Sequence, residues 1–257
     1  MSRSPAWLLA ASDFHAGRGD ARDAFALLLP RLEDELLDLA DLVAEDQPCV
    51  ALLGDVVDLW ACGEGALSAQ STRNALALIA GALGTPQRPV LWVRGNHDGA
   101  VPDSAAAGLP LQLCDRVTVP WCPRDYAETF AYLCHGHEFD PWNSWLGVGK
   151  AATAAASAVG AVFPAAERAL KRAGSRGRGV GRYDTEEGLR GRIRQHAAGW
   201  LGLRVVVAGH SHRADSQRWG GVSYENTGTW AEHGWLIGYT DGTFRRFARK
   251  PFSETNP

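Results

Sequence analysis

The chain lacks a long apolar run, a strong net charge, an internal repeat and a paired set of cysteines, and each absence closes off a class of protein. Of its 257 residues, five are cysteine (Cys49, Cys62, Cys114, Cys122 and Cys134), with no Cys-x-x-Cys spacing. That odd, scattered set supplies neither a disulfide framework nor a zinc knuckle. It reads as reduced thiols in a cytoplasmic protein. The formal net charge is −3, which gives no global electrostatic case for nucleic acid. The apolar run Ala6 to Ala11 is shorter than the roughly 7–15 residues of a signal-peptide core and suits a buried first strand. The longest weakly polar stretch, Trp145 to Phe163, is mostly alanine with glycines and Lys150 inside it, and is a poor bilayer span.

What is present is ordinary in bulk: 46% hydrophobic and 21% charged residues, the balance of a soluble globular domain. The length suits one large domain over 1–257, or a domain carrying an insertion. Five short apolar runs have the length and β-branched or aromatic content of buried strands: residues 7–12, 49–54, 89–95, 129–135 and 204–209. Between the first three lie helical patterns. Residues 20–45 carry Phe25, Leu28, Leu29, Leu32, Leu36, Leu39 and Val43 at three- and four-residue steps, and residues 66–83 repeat this more weakly. Strand–helix–strand alternation predicts a parallel α/β core with its site beyond the carboxyl ends of the strands. Residues 221–230, 234–241 and 243–250 read as short strands on Gly and Asp-Gly turns, a mainly antiparallel end to the sheets.

Residues 141–200 read as a helical cap insertion. They hold an Ala-rich segment (145–172), a basic Gly-rich loop (172–182) and a second helix (184–201). From 165 to 200, nine Lys and Arg stand against four Asp and Glu. With Trp142, Trp145 and Phe163 nearby, residues 141–182 are expected to offer peripheral contact at the inner membrane surface, with no transmembrane helix.

All five strands deliver Asp, Asn or His at their carboxyl ends: Asp13-Phe14-His15, Gly54-Asp55-Val56-Val57-Asp58, Gly95-Asn96-His97-Asp98, His135-Gly136-His137 and Gly209-His210-Ser211-His212. In an extended segment, residues i and i+2 point the same way, so Asp13 with His15, and His210 with His212, each aim two side chains at one point. Singly, each motif is an ordinary turn, helix cap or surface histidine. Five in order, each on a strand end, call for a common purpose. Carboxylates, imidazoles and an amide oxygen suit divalent Mn, Fe or Zn, with manganese preferred here, and suit neither calcium nor thiophilic copper. Two such ions sharing a carboxylate clamp a displacement at phosphorus and generate hydroxide near neutral pH. The residues therefore predict a phosphoester hydrolase with metals as the main catalysts. Either His135 or His137 fills the fourth position.

This ordered set resembles the calcineurin-like metallophosphoesterase superfamily, over residues 13 to 212. The resemblance implies an α/β fold of two packed mixed β-sheets flanked by helices, and a dinuclear metal centre. It implies that Asp13, His15 and His212 hold one metal, that Asn96, His135 and His210 hold the other, and that Asp55 bridges. The family's ligand sits at the end of its strand, which favours His135. By the same likeness, His97 and Asp98 are the catalytic candidates. His97 stabilises the phosphoryl group or protonates the leaving oxygen, while Asp98, like Asp58, orients neighbours. Asn96 and Arg213 are the expected substrate contacts. Within the superfamily, the insertion, Arg213 and the segment Tyr224–Trp230 are similar to the UDP-2,3-diacylglucosamine hydrolase group. That likeness implies a small-molecule or lipid-linked phosphate as substrate. The chain departs from that group in having His97 where Arg is usual, and in the stretch 135–143. A nucleotide phosphodiesterase, a nuclease or a non-catalytic scaffold are the alternatives, and the full ligand set speaks against the last.

Overall fold

The computed structural model describes residues 4–17, 24–121, 129–140 and 188–248. One sheet contains β1 (Ala6–Ala11), β2 (Cys49–Leu53), β3 (Val90–Val93) and β4 (Leu111–Cys114), all parallel. The other contains β5 (Val117–Pro120), β6 (Phe130–Leu133), β7 (Leu203–Ala208), β8 (Asp215–Trp219) and β9 (Val222–Asn226) in the order β5-β6-β7-β9-β8. The chain then returns to the first sheet. β10 (Trp235–Tyr239) lies antiparallel to β1, and β11 (Phe244–Phe247) forms the outer edge.

The apolar runs are continuous because the central strands are buried on both faces. Alternate side chains divide between two layers. Leu8, Ala10 and Leu53 face Leu133, Val205 and Val207 of the second sheet. Leu9, Leu52 and Trp92 face outward into the helices. These are α1 (Ala24–Asp46) and α4 (Gln70–Leu83), with two single turns, α2 (Leu59–Cys62) and α3 (Gly65–Ser68), between them. On the far side, α5 (Leu189–Ala197) lays Leu189, Ile193 and Ala197 on Tyr132, Val206 and Tyr224. The result is helix, sheet, sheet, helix: the expected α/β arrangement of two mixed sheets.

Three points differ in detail from the sequence reading. β9 pairs parallel with β7 and antiparallel only with β8. β4, β5 and β8 are strands that no apolar run announced. The last part of the 141–200 segment, as α5, is a covering layer of the second sheet. The Ala-rich stretch 145–172, the basic loop 172–182, the membrane-facing surface expected over 141–182 and Cys122 lie outside the described residues. Among the described residues no helix is long and apolar enough to cross a membrane.

Candidate metal centre

The carboxyl ends of β1, β2 and β3 meet those of β6 and β7, and backbone hydrogen bonds stitch their loops together. Asp13 N donates to Gly54 O at 3.0 Å, His15 N to Asp55 O at 2.9 Å and Asp58 N to Ala16 O at 2.8 Å. Leu59 N donates to His97 O at 3.1 Å, and Gly209 N to His135 O at 2.9 Å. Glycine makes this closeness feasible. A Cβ on Gly54 would strike the His135 ring, and one on Gly95 would strike the Asp55 carboxylate.

The loops are tightly kinked. Six non-glycine residues among those described have positive φ, and five of them are Asp13, His15, Asp55, His210 and His212, at 50° to 67°. These side chains therefore converge through left-handed kinks. The extended alternation invoked from sequence for Asp13/His15 and His210/His212 does not hold: Asp13 and His15 still share one donor group, but His210 and His212 turn to different ones. Asp and His tolerate this backbone region better than most residues.

Among the described residues three groups of donor atoms lie within 4.8 Å of one another: one is His15, Asp58 and His97, and the other two are Asp13, His15, Asp55 and His212, and Asp55, His135 and His210. Asp55 belongs to both of the latter. Nε2 of His212 lies 3.1 Å from Asp13 Oδ1, and 3.3 Å from Nε2 of His15. Nε2 of His135 lies 3.3 Å from Asp55 Oδ2 and 3.2 Å from Asn96 Oδ1. His137 stands outside these groups, with Nδ1 3.5 Å from Glu138 Oε2.

The residues fit a pair of cations. Asp13 Oδ1 is buried and accepts no well-formed hydrogen bond, although it faces two imidazoles. Nδ1–H of His135 donates to Leu53 O at 2.7 Å, so Nε2 brings its lone pair to the acceptors Asp55 Oδ2 and Asn96 Oδ1. Three lone-pair bearers at one point require positive charge between them. Titration of the side chains points the same way. Burial opposes charge on His135, yet Asp55 outweighs it and lifts the imidazole pKa to about 10, so that without a cation a proton on Nε2 supplies the positive charge. Burial likewise opposes ionisation of Asp13, but His212 brings its carboxyl down to about 2.

Around this cluster stand residues that hold it. Asp98 is wholly buried and accepts from Val56 N at 2.8 Å, Trp92 Nε1 at 2.9 Å and Gly95 N. It lies behind the site and orients the loops. Asp58 Oδ1 lies 2.8 Å from Nδ1 of His97, and the Trp60 ring stacks on His97 with centroids 4.4 Å apart. Burial opposes charge on His97, but Asp55 and Asp58 prevail and raise its pKa above the ordinary value. His97 Nε2 stands 4.0 Å from Asp55 Oδ2, at the edge of the cluster. Arg213, next in the chain to His212, is exposed.

Sequence reasoning passed over four contributors. Ser12 donates its hydroxyl to Asp13 Oδ2 and lies 2.6 Å from Thr227 Oγ1. Asp140 reaches His210, and Trp60 packs on His97. Only the position of Ser12 on the first strand end could have flagged any of them. Asn226 and Trp230, within the segment Tyr224–Trp230, brace the loops. Asn226 Nδ2 donates to Gly209 O at 2.8 Å, and Trp230 N donates to Ser12 O at 2.9 Å.

A family profile described as calcineurin-like phosphoesterase matches residues 6–214. No curated protein sequence matches the chain. Among solved structures, the chain is similar to a dimetal phosphatase from Danio rerio, at 11% identity and a TM-score of 0.49, over 92% of this chain and 93% of that one. It is also similar to an archaeal phosphodiesterase, at 10% identity and a TM-score of 0.45, over 94% and 99%. A third likeness is to Yfce, a phosphoesterase from E. coli, at 15% identity and a TM-score of 0.40, over 94% and 98%.

Proposed function

The chain belongs to the calcineurin-like phosphoesterase family and is a metal-dependent phosphoester hydrolase, and from that premise we propose that it cleaves a phosphodiester or pyrophosphate at a two-ion centre. Asp13, His15 and His212 would hold one ion, Asn96, His135 and His210 the other, with Asp55 shared. The observation that carries this reading is the convergence of the Asp and His donors in two groups with Asp55 common to both, Asn96 Oδ1 standing 3.2 Å from His135 Nε2. Bound divalent ions supply Lewis acidity: they draw charge from the phosphoryl oxygens and lower the pKa of a water. Manganese is the preferred occupant, with Fe and Zn compatible with the same donors.

His97 completes the chemistry from the protein's side. Its Nδ1 is held by Asp58 and one ring face by Trp60, which leaves Nε2 as the edge turned to the cluster. A proton on that nitrogen hydrogen-bonds the phosphoryl group or passes to the departing oxygen. The substrate we favour is a small-molecule or lipid-linked diphosphate. The support is the resemblance of Arg213 and of the 141–187 segment's place in the chain. Segment Tyr224–Trp230 adds nothing to the substrate argument, because Asn226 and Trp230 are engaged in bracing loops.

The test uses full-length protein with added Mn²⁺ on bis(p-nitrophenyl) phosphate, a lipid-linked pyrophosphate, cyclic nucleotides and plasmid DNA. We expect Mn-dependent turnover and a roughly 10²–10⁴-fold fall in kcat for His97→Ala with both ions retained. His212→Ala should lose one ion. Full activity in His97→Ala, or turnover unaffected by chelation, would overturn the reading. Preference for plasmid over the small esters would replace the substrate assignment with a nuclease. A deletion probing the insertion must end before Gly188, since α5 belongs to the core.

A further inference from the structure

The stretch His135-Gly136-His137-Glu138-Phe139-Asp140 departs from the usual family continuation, and the proposed ligand set uses only its first residue. Gly136, at φ 108°, turns the chain into a single 3₁₀ turn, His137–Phe139. Phe139 N donates to Gly136 O at 3.1 Å and Asp140 N to His137 O at 3.0 Å. The turn brings Asp140 Oδ2 to 3.0 Å from Nε2 of His210. Both side chains are largely buried, 10% exposed for His210 and 14% for Asp140. The turn is also gripped from α5. Arg192 donates to Phe139 O at 3.2 Å, and the Phe139 ring packs on His196 with centroids 5.1 Å apart.

A carboxylate only accepts, so Nε2 of His210 must carry the ring proton in this pair. A neutral imidazole has one N–H, and its lone pair then lies on Nδ1. We propose that Asp140 is a positioning residue that locks His210 in the Nε2–H tautomer and presents Nδ1 to the ion shared with His135 and Asp55. The inference rests on the two-ion reading above. Asp140 stands in neither of the donor groups that share Asp55, so its effect on the centre would run through His210. Such outer carboxylates typically govern metal affinity by 10–100-fold. It also ties α5 to the centre, through Arg192, Phe139 and Asp140 in turn.

The experiment uses the full chain and two readouts. Long-range ¹⁵N spectra of the metal-free protein, labelled at histidine, report the tautomer of His210, assigned with His210→Ala. Calorimetric titration with Mn²⁺ reports both ions separately. Asp140→Ala and Asp140→Leu remove the acceptor, whereas Asp140→Asn keeps one. We expect the Nε2–H form in wild type and Asp140→Asn, and a mixture in the other two. We expect one ion weakened about 10–100-fold in Asp140→Ala and Asp140→Leu, with partial rescue in Asp140→Asn and the second ion unchanged. The Nε2–H form and two undisturbed ions in Asp140→Leu would overturn the proposal. Wild type that takes up no Mn²⁺ would overturn the two-ion reading itself, and the spectra would still decide whether Asp140 sets the His210 ring.

Discussion

Five of the proposed ion ligands sit on left-handed backbone, which costs on the order of 1–3 kcal/mol per residue where the surroundings must enforce it. Here the enforcement is visible as hydrogen bonds from one motif to the next. Residues near the site but outside it bear different burdens. Glu225, on β9, is 4% exposed and its Oε1 accepts from Ser216 Oγ at 2.8 Å. Burial raises its pKa from 4.5 to about 7, against the pull of Ser216 and Arg246 and with a push from Asp215. The folded state therefore favours the neutral acid. That contribution to stability is fully present below about pH 4.5 and is lost as pH rises through about 7. Glu225→Gln is neutral throughout. It should match wild type near pH 4.5 and gain on it at pH 8, by on the order of 1–3 kcal/mol, since one pKa unit is about 1.4 kcal/mol. Thermal melts at both pH values check this. A variant less stable than wild type at pH 8 contradicts it.

At the scale of elements, α5 carries the clearest consequence. Ile193 is 1% exposed between Tyr132, Val206 and Tyr224. Truncating it to Ala should cost about 2–5 kcal/mol, by lost transfer energy and a residual cavity. Denaturant unfolding measures it, and a loss below about 1 kcal/mol would mean that α5 rests loosely on the sheet. This is the helix that a sequence reading assigns to the insertion, because it lies in the stretch between two strands that each end in histidine. The central strands are legible in sequence because burial on both faces demands unbroken apolar runs. β8 is not, because an edge strand exposed along Ser216–Arg218 needs only its pairing to β9. The site divides in the same way. Its metal-binding candidates are legible because each stands at the end of a strand. Trp60, Asp140 and Thr227 are not, because their partners are set by which loops the fold brings together, and nothing local in the sequence records that.

At the scale of the molecule, the proposed ion ligands come from both sheets. Asp13, His15, Asp55 and Asn96 follow strands of the first, while His135, His210 and His212 follow strands of the second. Each ion would therefore join two sheets that also meet across an apolar layer and through hydrogen bonds such as that of His135 Nδ1 to Leu53 O. An ion that binds only the folded chain stabilises it by about 2.7 kcal/mol at one hundred times its dissociation constant. For a protein of this size, 1 kcal/mol moves the melting temperature by about 2–4 °C. Chelated protein given Mn²⁺ should accordingly melt roughly 5–10 °C higher for each ion held at that excess. Calorimetric melts of wild type and His212→Ala, with and without Mn²⁺, separate the two contributions. The variant should keep the increment of the ion at His135 and His210 and lose the other. An equal rise in both proteins would remove His212 from the centre. No rise in wild type, at Mn²⁺ concentrations that support turnover, would mean that the ions are held too weakly to couple the sheets.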